Sequence, residues 1–181
     1  MGRKAVDFLY EKGHRTVVFL RNNESNYNRH SGYVVIFRES LLAHAKELGM
    51  TVIESEHYEA DSFDAQHFVS TVFAHPDRPT AIINQANASV LSQVLMALHD
   101  AGMSIPQDVS VLSCGTYFEG EPTRFPITEM PVMPEELCAE AMNLLVSAIE
   151  EHTDIKGSVE LIEPALKRRG SVAEAGSGGT I

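Results

Sequence analysis

The chain has 181 residues, of which 44% are apolar, and this suits one globular unit, or one and part of a second, with a sizeable core. Acidic residues outnumber basic ones by 25 to 14, and a net charge of −11 opposes phosphate backbones, so the chain as given is not expected to bind DNA. No apolar run approaches the roughly 20 residues of a membrane span, and the first residues lack the apolar core of a signal peptide, so we expect a cytoplasmic chain. The two cysteines form no CxxC pair, so neither a disulfide framework nor a zinc site is expected.

The first predicted elements are a helix, a strand and a polar loop. The apolar residues of Gly2 to Lys12 share one face of a helix that Gly13 stops. Thr16 to Leu20 is apolar and β-branched throughout, as expected of a strand that helices cover on both faces. Arg21 to Asn28 follows without one aliphatic residue, at the carboxyl end of that strand, which is the position of a ligand loop.

The alternation of helix and strand then continues. Helical spacing of apolar residues predicts a long helix from Arg29 that ends at Gly49, and Thr51 to Ile53 is the next strand. Residues 63–73 predict another helix. Its two candidate N-caps are Asp61 and Ser62, and its expected stop is Pro76.

Residues 78–116 predict a compact strand, helix and strand. Ala81 to Ile83 is a short buried strand, residues 88–101 carry one apolar stripe, and Gly102 stops that helix. Val109 to Leu112 is a second buried strand, and such a unit places its two strands in parallel. Ligands of these sheets bind beyond the carboxyl ends of the strands, here near residues 84–87 and 113–116.

The pattern loosens after Thr116. A short strand is possible at Ile127 and Thr128, and a helix with an apolar stripe is expected from Pro134 to His152. A last strand is expected at Val159 to Leu161, and residues 173–181 predict a disordered tail. The fold class that follows is α/β, with a three-layer arrangement of a parallel sheet and helices on both faces.

Four ordered sequence blocks carry a family resemblance. They are GHRTVVFL at 13–20, RHSGY at 29–33, the stretch PTAI, ALxxAG and IPQDVSV within 79–111, and LIEPALKRRGSV at 161–172. Together they resemble the effector-binding core of LacI/GalR-type transcription regulators, and they cover nearly the whole chain. The resemblance implies a type I periplasmic-binding-protein-like fold, mainly the C-terminal of its two lobes, with the DNA-binding helix-turn-helix head and most of the first lobe outside this chain.

The resemblance also implies a division of the chain. It predicts a C-terminal effector-binding lobe at 1–116, a crossover at 117–133, a helix of the otherwise missing first lobe at 134–152, a return strand at 153–172, and the tail at 173–181.

Candidate effector residues come from both the loops and the resemblance. Arg29 matches the arginine of the family's RxxG motif, and a guanidinium can hold a carboxylate or vicinal hydroxyls in two hydrogen bonds. The competing interpretation is an ordinary surface arginine. Asn22, Asn23, Asn26 and Asn28 offer amides that donate and accept, as sugar hydroxyls require, although asparagine is also common in loops.

A second group of candidates lies at the later strand ends. Asn87 aligns with the asparagine of the family's AND motif, but it is equally suited to capping the helix that follows, and Asn84 is a weaker candidate. Where the family carries the two aspartates of GFDD, this chain has Gly115 and Thr116, so Thr116 or Tyr117 would have to replace the lost carboxylate. This departure weakens the case for a standard monosaccharide.

The functional hypothesis is an allosteric sensor, in which a sugar or related small molecule closes two lobes and shifts a homodimer between DNA-binding states. Operator DNA would be contacted only through the head outside this chain. A solute-binding protein for transport is the first alternative. An α/β enzyme is the second, although no GxSxG, P-loop or GxGxxG motif is present. Eight scattered histidines support no metal site, and no cofactor is expected.

Overall fold

A computed structural model of the chain describes residues 1–59, 62–74, 78–115, 126–152, 156–157 and 159–176. The helices are α1 (Gly2–Glu11), α2 (Glu24–Asn28), α3 (Gly32–Glu47), α4 (Ala65–Val72), α5 (Ala88–Asp100) and α6 (Pro134–Glu150). The strands are β1 (Thr16–Leu20), β2 (Thr51–Glu54), β3 (Ala81–Asn84), β4 (Ser110–Cys114) and β5 (Thr128–Met130).

The five strands form one sheet in the order β2-β1-β3-β4-β5, and each neighbouring pair is parallel. Alternate residues of the strands face opposite sides, and each side has its own apolar core. Val18 and Ile82 face α4 and α5, while Phe19 and Ile83 face α1 and α3. The predicted three-layer α/β architecture is therefore confirmed.

The predicted helix stops at glycine are confirmed at α3 and α5. Gly49 and Gly102 follow the two helices with φ angles of 70° and 76°, a region that side chains with a Cβ adopt only with strain. The predicted start of α3 is wrong. The helix begins at Gly32, and Arg29 instead terminates the separate short helix α2, which lies within the expected ligand loop.

Two further local predictions are wrong. The side chain that caps α4 is Asp64 rather than Ser62, and it accepts a hydrogen bond from the amide of His67. The other candidate cap, Asp61, and the expected stop at Pro76 lie outside the described residues. Residues 159–161 form no strand, and Val159 and Leu161 are exposed. Apolar and polar residues alternate over too few positions of this segment to support a strand.

The return segment meets the sheet later than expected. Lys167 and Glu129 exchange two backbone hydrogen bonds in an antiparallel bridge, and the Ser171 hydroxyl bonds to both β4 and β5. Residues 173–176 are also attached to the body, since Ala173 donates to the Ser110 hydroxyl and Ala175 to the carbonyl of Lys12. The expected tail therefore does not begin at residue 173, and residues 177–181 lie outside the described part.

Two histidines connect elements distant in sequence. His14 is buried, its Nε2 donates to the carbonyl of Ala173 and its Nδ1 accepts from the Thr80 hydroxyl, so the neutral ring satisfies both partners. Burial accordingly lowers its pKa. His44 of α3 bonds to Glu47 at 2.8 Å and to Asp7 of α1 at 2.5 Å, and these carboxylates raise its pKa.

Helix α6 is mostly exposed despite its length, because Ala148 is the one buried residue among those described in it. Its apolar stripe, which was predicted from the sequence, is largely exposed. Its predicted members Leu137, Leu145 and Ile149 are exposed, and so are Met142 and Val146 of the same helix. Within the described part of the chain, no helix is both long enough and apolar enough to cross a membrane.

Candidate effector-binding site

The carboxyl ends of β1, β3 and β4 meet at one edge of the sheet. Leu20 is in register with Asn84, which is in turn in register with Ser113, and the carbonyl of Leu20 accepts from the amide of Gln85. The sequence-based expectation that the strand ends at Arg21, Asn84 and Ser113 converge is confirmed. This edge, from residues 21–29, 84–87 and 113–115, is called the rim below.

Asn84 lies at the centre of the rim and is 1% exposed. Its Nδ2 donates to the Ser113 hydroxyl at 2.9 Å and to the carbonyl of Ala86 at 3.3 Å, and its Oδ1 accepts from the Ala86 amide at 3.1 Å. Both ends of the amide are thus engaged by the protein itself. The geometry gives Asn84 a positioning role, because it ties the ends of β3 and β4 together.

Asn22 is half-buried and links the first loop to β3. Its Nδ2 donates to the carbonyl of Gln85 at 2.9 Å, and its Oδ1 accepts from the Asn23 amide and from the side chain of Asn26. Asn23 in turn caps α2 by accepting from the Asn26 amide. Three of the four loop asparagines therefore hold the loop in shape, while Asn28 is exposed at the end of α2.

Arg29 and Asn87 are both exposed residues of the rim. Arg29 terminates α2, and no hydrogen bond or ion pair of its side chain is found within the described residues. Asn87 caps α5, since its Oδ1 accepts from the Val90 amide at 2.9 Å. The capping interpretation of Asn87 thus holds for its oxygen, and its Nδ2 makes no hydrogen bond to any described residue.

The last two sequence candidates, Thr116 and Tyr117, lie outside the described residues. The residue before them is described and constrained. Gly115 has a φ of 79°, and a Cβ placed on it would lie 1.4 Å from the hydroxyl oxygen of Tyr33. Only glycine allows Tyr33 of α3 to lie this close to the end of β4.

Sequence reasoning missed two rim residues, Arg21 and Gln85, which are 5% and 3% exposed. The Arg21 guanidinium lies over the ring of Tyr27, 4.4 Å from the centroid, and the Tyr27 hydroxyl donates to Gln85 Oε1 at 3.3 Å. Arg21 Nε and Gln85 Nε2 are buried, and neither has a hydrogen-bond acceptor within the described residues. A charged residue that directly follows an apolar strand was the signal in the sequence.

The surroundings of Arg21 balance its charge only in part. Its Nη2 is 3.4 Å from a carboxylate oxygen of Glu24, and the same oxygen lies 2.8 Å from Nδ1 of His57. The hydroxyl of Tyr58 donates to the carbonyl of Arg21, and burial raises the pKa of Tyr58 to about 12. Burial also raises the pKa of Tyr27, so both phenols remain neutral donors at physiological pH.

The described rim offers binding groups rather than an activated nucleophile. Cys114, at the end of β4, is buried, and burial raises the pKa of its thiol to about 12, so it stays protonated near neutral pH. In the described residues, no group of three or more His, Cys, Asp or Glu side chains is placed to hold a metal ion. Amides, hydroxyls and a guanidinium are suited to hydrogen bonding a polar small molecule.

A concavity of ≈ 300 Å³ lies between α1, α3 and the start of α6. Its lining is mainly apolar and includes Ile36, Phe37, Pro131, Leu137 and Ile162. It offers few polar groups to a sugar-like molecule, so the rim remains the better candidate site.

Comparison with known proteins agrees with this geometry. The sequence profile of the periplasmic binding protein-like domain matches residues 6–172. The HTH-type transcriptional regulator GanR of Bacillus subtilis is 26% identical over 156 residues, which are 83% of this chain and 47% of that protein. The chain therefore spans about half the length of this relative.

Solved structures share the fold. A LacI family transcriptional regulator from Bifidobacterium animalis subsp. lactis superimposes with a TM-score of 0.74 at 23% identity, over 97% of this chain and 63% of that one. A LacI family regulator from Arthrobacter sp., in complex with lactose, gives a TM-score of 0.69 at 18% identity, over 95% and 64% of the two chains. At these identities the structures establish the fold alone.

Proposed function

Because the chain belongs to the family of periplasmic binding protein-like domains, in the form found in LacI/GalR-type transcriptional regulators, we propose that it senses a small-molecule effector at its rim and thereby controls the DNA binding of a cytoplasmic regulator. The observation that carries the proposal is the convergence of the polar groups of three parallel strand ends, around Arg21, Asn84 and Ser113. This is where open α/β sheets bind ligands.

The proposed effector is a sugar or a related polar molecule. The rim supplies amide donors from Gln85 and Asn87, and the lactose bound to the Arthrobacter regulator supports the proposal that a similar fold accommodates such a molecule. Arg29 adds an exposed guanidinium at the edge of the rim. Thr116 and Tyr117 continue the chain from Gly115 and are proposed to line the same site.

The rim forms only one side of a binding cleft. The exposed apolar stripe of α6, with Met142 and Ile149 as members, supports the proposal that this helix packs on a second lobe. Residues 1–116 and 153–172 would then form one lobe and residues 134–152 part of the other. An effector that prefers one arrangement of the lobes shifts a homodimer between states of different operator affinity.

DNA contact is proposed to occur through a separate head, since the net charge of −11 opposes binding of phosphate by this chain. A transport receptor is not favoured, because GanR and the superimposed structures named above are transcriptional regulators. No described constellation of side chains supports an enzyme.

Calorimetry of the full-length protein against sugars, nucleosides and sugar acids tests the proposal. We expect saturable binding of at least one compound, and we expect Arg29→Ala to abolish the response to it. Arg15→Ala, at an exposed arginine of the opposite end of β1, is the control and should retain the affinity. Unchanged affinity in Arg29→Ala would remove Arg29 from the site, and no binding by the whole panel would contradict the sensing function.

A further inference from the structure

Arg21 and Gln85 both present donors that the protein does not use. Their side chains are at least nine-tenths buried, yet Arg21 Nε and Gln85 Nε2 have no acceptor within the described residues. A buried donor without an acceptor destabilises a fold, so such a group points to a partner that the protein itself does not supply. Asn84, which is equally buried at the same rim, has both ends of its amide bonded.

The two donors belong to one cluster around Tyr27. Arg21 covers the face of the Tyr27 ring, and Gln85 accepts a hydrogen bond from its hydroxyl, which leaves the Gln85 Nε2 group as the free end of that amide. Asn22 fixes the backbone of Gln85 from the other side. The cluster is therefore held in place before any ligand arrives, which lowers the entropy cost of binding.

The chemistry of the donors selects the ligand group. Both atoms are N–H donors, so the group that meets them must accept hydrogen bonds. The guanidinium uses Nη2 toward Glu24, at the long distance of 3.4 Å, and Glu24 shares that oxygen with His57. Nε and Nη2 lie on the same edge of the guanidinium, and the contact of Nη2 with Glu24 is long while Nε has no acceptor within the described residues. The charge of that edge is incompletely balanced, and a carboxylate matches such an edge in two hydrogen bonds.

From these contacts we propose that Arg21 and Gln85 form a carboxylate subsite within the rim, so that the effector is a sugar acid rather than a neutral sugar. The inference rests on the proposed sensing function and narrows it to a ligand class. Neither residue was indicated by the resemblance, which pointed to Arg29 and Asn87 instead.

Matched pairs of ligands and variants test the subsite. Calorimetry of the full-length protein compares galacturonate with galactose, and glucuronate and gluconate with glucose. We expect an acid to bind at least about ten-fold more tightly than its neutral parent, and we expect Arg21→Met to remove most of that preference. Arg15→Met is the control, because Arg15 stacks on Tyr10 in the same way, 3.8 Å from the centroid, at the opposite end of β1.

A stability measurement separates binding from a structural role. Since Arg21 Nε makes no bond and its ion pair is long, Arg21→Met and Gln85→Leu should melt no more than a few degrees below the parent protein while losing affinity for the acid. A large fall in Tm, together with an equal loss of affinity for acids and for neutral sugars, would overturn the subsite in favour of a structural role.

The remaining outcomes are also decisive. Equal affinity for an acid and its parent, or a preference that survives Arg21→Met, would overturn the subsite while leaving the sensing function in place. Binding of neutral sugars alone would do the same. No binding of any of these probes would overturn the subsite, and the wider panel would then decide the sensing function separately.

Discussion

Replacement of Asn84 by alanine tests whether the rim is a preformed part of the fold. The substitution removes two hydrogen bonds of 2.9 and 3.1 Å and a longer one of 3.3 Å from a side chain that is 1% exposed. Each bond contributes about 1 kcal/mol, and the substitution leaves the Ala86 amide and the Ser113 hydroxyl without these partners. Asn84→Ala should therefore lower the free energy of unfolding by about 2–3 kcal/mol. For a chain of this size that corresponds to a fall in Tm of roughly 4–12 °C.

Asn87→Ala is the matched control, because the same residue type three positions later makes one capping bond from an exposed site. That variant should lower the free energy of unfolding by about 1 kcal/mol. Thermal melts of the two variants followed by circular dichroism make the comparison. If Asn84→Ala melts with the parent protein, or melts above Asn87→Ala, then the hydrogen bonds seen at Asn84 do not stabilise the rim and the reasoning fails.

Gly115→Ala should destabilise the protein clearly more than Gly102→Ala, since both positions have a positive φ but only Gly115 lies against the Tyr33 hydroxyl; equal melting temperatures would refute the close contact. His44 has a raised pKa, so its contribution to stability is full below its ordinary pKa of 6.5 and is lost as pH rises through the higher folded value. Denaturant titrations at several pH values should show this loss in the parent protein and its absence in His44→Gln, and an identical pH dependence in both would contradict the assignment.

The regular elements were predictable because their patterns are local. The strand β1 was predicted from its own apolar residues, and the ends of α3 and α5 were predicted from the glycine that follows each helix. The structure confirms these predictions. Parallel pairing then followed from the strand, helix and strand order of residues 78–116, and with it the convergence of the strand ends.

The errors arose where hydrogen bonding rather than hydrophobic pattern decides the structure. Helix α2 has no apolar stripe and depends on the Asn23 cap, so a run of asparagines was interpreted as irregular loop. Asp64 displaced two neighbouring candidates as the cap of α4 for the same reason. Several side chains can cap one helix, and only the backbone geometry decides between them.

The candidate site shows the same division. The position of the rim was predictable, but the state of each amide was not. Asn84 and Asn22 were both candidate ligand contacts, and the structure shows their side chains bonded within the protein, whereas Gln85 beside them has a free donor. Some of these partners come from distant segments, as Gln85 does for Asn22 and Ser113 for Asn84, and sequence spacing carries no information about them.

The most direct measurement is an NMR titration of the isotopically labelled full-length protein with the tightest compound from the calorimetric panel. The account predicts chemical-shift changes concentrated at residues 21–29, 84–87 and 113–115, including the side-chain amide of Gln85. Changes concentrated instead around Ile36 and Leu137, in the apolar concavity, or around Gly13 at the opposite end of the sheet would contradict the claim that the strand ends form the effector site.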